Sequence, residues 1–353
     1  MKETIVLKVN PENPDPTKIR AATQIIQRGG LVAFPTETVY GLGADALNPS
    51  AVLALFSAKK RPLDNPPIVH VARVNDVYKL AKEVSKKAEL LMKEFWPGPL
   101  TLVFKCSSTV PKVTVAGLDT IAIRMPKHKV ALSLIKESGC SIAAPSANLA
   151  GKPSPTTAKH VYEDLNGRID MILDSGATNI GVESTVVDMS VDPPMVLRPG
   201  GTTFEALKKV TSDVKLHPFV EAESELPLEK IRSPGMKHKH YAPKAQVILV
   251  EGTVETITGR IQDLAEFYRV KGEKVGVLAT DETQTFYKAD VVKSLGSRLN
   301  LATVAQSMFR LLREVDAENV DVIIAEGVPL DGIGLAIMNR LRKASGYRII
   351  KGE

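Results

Sequence analysis

The residues able to do chemistry in the first two hundred positions are cations and hydroxyls. Lys59, Arg61, Arg124, Lys152 and Arg198 fall near the ends of apolar stretches, and Thr36, Thr38, Ser146, Ser154 and Ser184 add hydroxyl donors. The sequence offers no Ser-His-Asp arrangement, no His/Cys metal cluster and no cysteine set for nucleophilic attack. Such an inventory suits phosphoryl or nucleotidyl transfer, where the protein positions anions and neutralises charge. Each residue also has a plainer reading. Cations at 59–61 complement the C-terminal dipole of a helix. A histidine such as His70, among apolar neighbours, is commonly a hydrogen-bonded structural residue. Arg124, closing an apolar strand, serves a surface salt bridge as readily as it would a phosphate or carboxylate.

Several elements must position these groups. LVAFPTETVYGLG at 31–43 reads as a strand, Leu31 to Phe34, followed by a polar run. The alternation of Thr36, Thr38 and Tyr40 with Glu37 and Val39 predicts an extended segment, with Gly41 and Gly43 serving a turn. A polar run after a buried strand is a common ligand position in α/β proteins, and a plain hairpin or strand-to-helix turn is the alternative. Upstream lie a strand at Thr4–Val9 and a helix capped by Thr17 that places Ile19, Ala22 and Ile26 on one face. Downstream, Ser50 is the predicted cap of a helix that Pro62 ends, and Ile68, Val69 and Val71 form a strand around His70. Helices are predicted over 75–95 and 128–139, and strands at Leu100–Phe104 and through Thr120 to Arg124. SIAAPSANLAGKPSP begins as a strand and becomes a loop in which Ser146, Asn148, Lys152 and Ser154 suit phosphates, without being a P-loop or a dinucleotide fingerprint. Further strands fall at 183–190 and 196–200, so the chain to about residue 215 is α/β.

A chain of 353 residues is long enough for two domains. Acidic residues from Glu221 to Glu229, then RSPGMKHKHYAP, predict a linker over 217–244. Strands AQVILVEG, KVGVLAT, ADVVKSLG and DVIIAEGV alternate with helices at Ile261–Tyr268, Leu301–Val315 and Gly334–Lys343, which predicts a small, largely parallel sheet in a regulatory or covering domain. The formal charge of +6 is compatible with anionic partners without requiring one. Cys106 and Cys140 are too few for a disulfide scaffold or a multi-cysteine zinc site and point to a reducing compartment. MKETIVLKVNPENPDP is too polar for a signal peptide, and no run is long enough to span a bilayer, so a cytoplasmic location is expected.

Seven motifs, FPTETVYGLG, SAKKRPLDNPPIVHV, WPGPLTLVF, TIAIRMP, APSANLAGKPSPT, ESTVVD and VLRPG, stand in the order found in the YrdC-like threonylcarbamoyl-AMP synthase family, which this chain resembles. KHKHYAP and the α/β unit after it resemble the family's long form. The resemblance implies a twisted mixed-sheet YrdC-like catalytic domain over 1–216. A linker over 217–244 would close over the active site, and a smaller Rossmann-like α/β domain would fill 245–353. It implies that L-threonine, bicarbonate or carbon dioxide, and ATP give threonylcarbamoyl-AMP and pyrophosphate, with Mg2+ bound mainly through the phosphates. The product would go to a threonylcarbamoyl transferase complex that modifies the adenosine next to the anticodon in tRNAs reading ANN codons. By the same resemblance Thr38, His70, Arg124, the Ala144 backbone and Ser184 hold threonine. Arg61, Asn65, Thr120, Ser146, Asn148, Ser154, Arg198 and Tyr241 hold ATP, with Lys59 and Arg61 the catalytic cations. The competing class is an RNA-binding module with a basic face and weak RNA affinity; an aromatic content of 5% weighs against base stacking as its main mode.

Overall fold

The computed structural model describes residues 3–221 and 241–352, which divide into two units. The first runs to Ala150 and from Ser154 to Val220; the described part of the second is Glu221 and 241–352 with Gly151–Pro153. Most of the expected linker, 222–240, lies outside the described residues. Its first positions are not a tether: Pro218–Glu221 is a turn of helix, and Val220 is buried.

The first unit is an eleven-stranded mixed sheet. Its strands are β1 (Ile5–Lys8), β2 (Val32–Phe34), β3 (Gly41–Asp45), β4 (Val69–His70), β5 (Leu100–Lys105), β6 (Thr120–Arg124), β7 (Ile142–Ala143), β8 (Met171–Asp174), β9 (Thr185–Asp188), β10 (Met195–Arg198) and β11 (Lys215–Leu216). Their spatial order is β1-β8-β2-β3-β7-β4-β6-β5-β9-β10-β11. Leu102, Phe104, Ile121, Ile123, Val187 and Val196 belong to one continuous core. Side chains alternate along a strand, so their neighbours Val103, Ala122, Val186 and Leu197 turn to the other face, where they form a smaller cluster with Ile68.

Two helices carry the cations of interest toward the sheet or pack beneath it. In α1 (Pro16–Gln27) the cap is Asp15, whose Oδ1 accepts from the Thr17 amide at 2.8 Å, and not Thr17. In α2 (Pro49–Lys59) the cap is Asn48, whose Oδ1 accepts from the Ser50 and Ala51 amides at 3.1 and 3.2 Å, and not Ser50. The reason is shared. A proline is well suited to the first helical position and bars the residue before it from the helical region, so the cap falls one residue earlier. At the far end of α2, Lys60 takes a left-handed conformation (φ 52°) and the chain turns so that the Arg61 amide returns to the Phe56 carbonyl at 2.9 Å.

Two expectations for the 31–43 stretch are corrected. Residues 37–39 bend and are not extended, because Thr36 Oγ1 accepts from the amides of Thr38 and Val39 at 3.2 and 3.3 Å, a local bond that competes with a strand. Gly41 and Gly43 are inside β3, not in a turn. A Cβ on Gly43 would sit 2.9 Å from both Ile142 Cγ2 and Phe34 Cε1, so the glycine is there to admit the Phe34 ring.

The second unit is a five-stranded parallel sheet. Its strands are β12 (Gln246–Glu251), β13 (Val275–Ala279), β14 (Val291–Ser294), β15 (Val322–Glu326) and β16 (Ile349–Lys351), in the order β14-β13-β15-β12-β16. The predicted helix at Ile261–Tyr268 extends over Val254–Val270 and buries Ile257, Ile261 and Ala265. At the strand ends Glu326 is fully buried and satisfied by Thr280, Thr283 and the Arg298 guanidinium, the last at 2.8 Å.

Candidate active site

Strand register builds the centre of the site. β4 and β6 are parallel with His70 opposite Arg124, and β5 is antiparallel to β6 with Thr101 opposite Arg124. Three polar side chains from three strands therefore stand in one row on one face of the sheet. β9 runs parallel to β5, and β10 antiparallel to β9, so Ser184 before β9 and Arg198 ending β10 reach the same edge.

Arg124 is almost wholly buried, and its fork is divided among three neighbours. Nε donates to the Gly98 carbonyl at 3.2 Å, Nη1 donates to Thr38 Oγ1 at 2.9 Å, and Nη2 lies 2.7 Å from Glu37 Oε2. Thr38 is held in turn by Thr36, hydroxyl to hydroxyl at 2.8 Å. The bend of 36–39 is pinned from outside, because the Ile180 amide donates to the Glu37 carbonyl and the Gly181 amide to the Thr38 carbonyl, at 2.9 and 3.2 Å.

On the other side of the row, the Thr101 and Ser184 hydroxyls meet at 2.8 Å. The Arg198 guanidinium donates to the Ser184 carbonyl at 2.9 Å and to its hydroxyl at 3.1 Å. Ser184 was expected on threonine and Arg198 on ATP, so the two expected groups meet at this bond. Gly200 explains the end of VLRPG: a Cβ there would lie 2.3 Å from the Glu183 carbonyl oxygen, so only glycine lets the chain cross the 183–185 backbone.

His70 Nδ1 is 3.2 Å from the Ile68 carbonyl, and the ring meets Phe34 edge-on at 6.1 Å. Burial first, and then the neighbouring Arg124 charge, push its pKa down to about 3. The imidazole is therefore neutral, and with Nδ1–H donating to Ile68, Nε2 is left as an acceptor. A group whose folded pKa lies below its unfolded value of about 6.5 stabilises the fold above that value, and the contribution fades as pH falls toward 3. In His70→Gln this proton uptake is gone. Denaturant titrations should show wild-type losing about 2 kcal/mol more than the variant between pH 6.5 and 5. Parallel losses would mean that His70 is not held neutral.

Of the residues expected on ATP, Thr120 shares a face of β6 with Arg124. Thr120 begins the strand that Arg124 ends, about 13 Å away at the rise of an extended chain. It lines a shallow depression with Pro66, Pro67, Val103 and Ala122. Next to those prolines, Arg61 is locked onto the 65–66 turn: Nε donates to the Asn65 carbonyl at 2.8 Å, and Nη2 to Asn65 Oδ1 at 2.7 Å and the Pro66 carbonyl at 3.1 Å. Ala144 donates its amide to the Ile68 carbonyl at 2.8 Å, and Ser146 bridges to Gly41, which brings the APSAN loop to the same sheet edge as the polar stretch. Lys59 is fully buried, and its ammonium donates to the carbonyls of Ser146 and Asn148. Ser154 donates to Glu183 at 2.6 Å.

Tyr241, the remaining residue expected on ATP, belongs to the second unit. Its ring is 5.2 Å from Phe309 and lies 5.6 Å from the Arg340 guanidinium, all within the second unit. Tyr40, from the same polar stretch as Thr38, is structural: its hydroxyl donates to the Gly176 carbonyl at 2.7 Å, and burial raises its pKa.

Sequence reasoning passed over three residues of this site. Thr101, Glu37 and Glu183 each contact an expected site residue, at 2.8, 2.7 and 2.6 Å. Thr101 carried a usable signal, a hydroxyl inside the apolar strand LTLVF. The two glutamates carried none, since each sits in a polar run where a solvated carboxylate is the ordinary expectation.

Two family descriptions match the chain. The family described as "Telomere recombination" matches residues 24–200, and the one described as "Threonylcarbamoyl-AMP synthase, C-terminal domain" matches residues 202–346. The chain is 50% identical to a threonylcarbamoyl-AMP synthase of Pyrococcus abyssi over 351 residues, covering 99% of each. It is 51% identical to a threonylcarbamoyl-AMP synthase of Bacillus subtilis over 336 residues, covering 95% of this chain and 94% of the relative. The crystal structure of P. abyssi Sua5 complexed with L-threonine superposes with a TM-score of 0.94 at 51% identity, covering 99% of this chain and 100% of that one.

Proposed function

The chain belongs to the threonylcarbamoyl-AMP synthase family, and from that premise we propose how its residues divide the work. The reaction joins L-threonine, bicarbonate or carbon dioxide, and ATP into threonylcarbamoyl-AMP and pyrophosphate. The observation that carries the assignment is the buried Arg124 fork, flanked by His70, Thr38 and Thr101.

Arg124 takes the threonine carboxylate, because a guanidinium matches a carboxylate with two parallel hydrogen bonds. Thr38 and Ser184 offer hydroxyls beside it, the Ala144 backbone forms part of the wall, and neutral His70 offers an acceptor. The threonine nitrogen adds to carbon dioxide, losing protons to give a carbamate. A carbamate oxygen then attacks the α-phosphorus, and pyrophosphate leaves. Arg198 is the cation at the junction, since it is fixed on Ser184 at the end of the threonine row. Arg61, Asn65, Thr120, Ser146, Asn148 and Ser154 hold ATP along the sheet face. Lys59 is assigned to positioning, because its ammonium ties the end of α2 to the loop that carries Ser146 and Asn148.

Tyr241 is assigned to the nucleotide on the resemblance of KHKHYAP alone. Mg2+ would arrive on the phosphates. Among the described residues no three His, Cys, Asp or Glu side chains are grouped to hold an ion. The domain division at 216 and 245, a cytoplasmic location, delivery of the product to a transferase complex and weak RNA contact belong to the same proposal. No described helix is long and apolar enough to cross a membrane.

Arg61→Ala tests the nucleotide half. It should raise the ATP concentration needed for half-maximal pyrophosphate release by about tenfold or more, the cost of one charge-assisted contact, and leave threonine affinity unchanged. Unchanged ATP dependence would remove Arg61 from the nucleotide site.

A further inference from the structure

Among the described residues Glu37 is the carboxylate in contact with Arg124, and its geometry is unusual. The side chain is 7% exposed, and Oε2 lies 2.7 Å from Arg124 Nη2. That approach is too poorly aligned to be a hydrogen bond. Oε1 and Oε2 of Glu37 and Nη2 of Arg124 are all buried without a hydrogen-bond partner. Buried polar groups are nearly always satisfied, so a donor and two acceptors left over at one point need a reason. The buried pair of Arg342 with Glu251 is aligned by contrast: Nε meets the carboxylate at 2.7 Å and Nη2 at 3.0 Å, both as hydrogen bonds.

The unused groups are complementary to an α-amino acid. A zwitterion presents a carboxylate, which needs a donor, and an ammonium one carbon away, which needs an acceptor. We propose that Glu37 is the recognition residue for the α-ammonium of the amino-acid substrate, with Arg124 taking the carboxylate. This rests on the assignment of Arg124 made above. The bend at 36–39 supplies the means. The Thr36 hydroxyl curls the chain so that Thr38 and Glu37 approach one guanidinium from successive positions, which an extended segment would send to opposite faces. Ile180 and Gly181 clamp the backbone of that bend, so the carboxylate is presented by a fixed main chain. The pair thereby selects free α-amino acids over hydroxy acids and N-acylated ones before the carbamate forms.

The test measures binding to the full-length protein by calorimetry, using L-threonine and (R)-3-hydroxybutyrate, which is threonine without its amino group. Glu37→Gln keeps the shape and removes the charge. It should weaken L-threonine by about tenfold to a hundredfold, the range for a hydrogen bond to a charged group, and leave (R)-3-hydroxybutyrate unchanged or tighter, since Nη2 loses a rival. Glu37→Asp, which keeps the charge on a shorter arm, should fall between wild type and Glu37→Gln for L-threonine alone. The intact affinity for the hydroxy acid reports that the variant pocket is folded. Equal weakening of both ligands would mean that Glu37 acts only through Arg124 and would overturn the proposal, as would unchanged binding of L-threonine. Arg124→Gln should weaken both ligands; if it weakens neither, the carboxylate assignment has failed, which is a separate result.

Discussion

Arg124→Gln should cut threonine-dependent pyrophosphate release, measured as kcat/KM for threonine, by at least about thirtyfold, the low end of the cost of truncating one partner of a buried, hydrogen-bonded charge pair. The size follows from how fully the fork is used. Gly98 fixes Nε and Thr38 fixes Nη1, so the plane of the guanidinium is set before a substrate arrives. That preorganisation is what makes a buried electrostatic contact effective. Arg124→Lys should not rescue the loss, because an ammonium is a point charge that cannot meet Gly98, Thr38 and a carboxylate in one plane. Removing the charge also strands Glu37, and about 3 kcal/mol of stability should go with it, which a denaturant titration reads. ATP binding, supported by residues along the strand from Arg124, should survive in the folded fraction of either variant.

Lys59→Met should be nearly as damaging by a different route. The methionine keeps the apolar stem and removes the ammonium, leaving the Ser146 and Asn148 carbonyls short of a donor in a buried place. A buried acceptor left without its donor costs about 1–3 kcal/mol, so two of them should lower the unfolding free energy by about 3 kcal/mol. The functional loss should appear as a weaker dependence on ATP, because the loop that carries Ser146 and Asn148 is no longer tied to α2. Threonine affinity should be spared. A variant with wild-type stability and a normal response to ATP would show that the ammonium is not what holds the loop.

The strands and helices were legible in the sequence wherever their period was local. Leu31–Phe34, the LTLVF strand and the Leu301–Val315 helix stand where the apolar spacing placed them, to within an end residue or a turn. Both helix caps lie two residues before the hydroxyl that suggested them, because Pro16 and Pro49 occupy the first helical position and so move the cap to the residue before them. The site was legible as a set of residue types and not as an arrangement. Nothing near position 101 announces position 124; the two meet only through the antiparallel register of β5 on β6. The bend at 36–39 was missed for a local reason, since a threonine hydroxyl bonding its own backbone overrides an alternation that otherwise reads as a strand. Gly41 and Gly43 were seen as turn-formers because glycine most often marks a turn. Their role depends on where the Phe34 ring lies, which only tertiary packing decides.

One face of the first unit should bind a free amino acid and ATP together and drive nucleotidyl transfer between them. The most direct measurement is pyrophosphate release from ATP by the full-length protein, with threonine, bicarbonate or both supplied. Release is expected only when both are present, with L-threonine far ahead of serine, valine or (R)-3-hydroxybutyrate, and with the signal lost in Arg124→Gln. Release that does not require threonine and bicarbonate, or that is undiminished in Arg124→Gln, would contradict it.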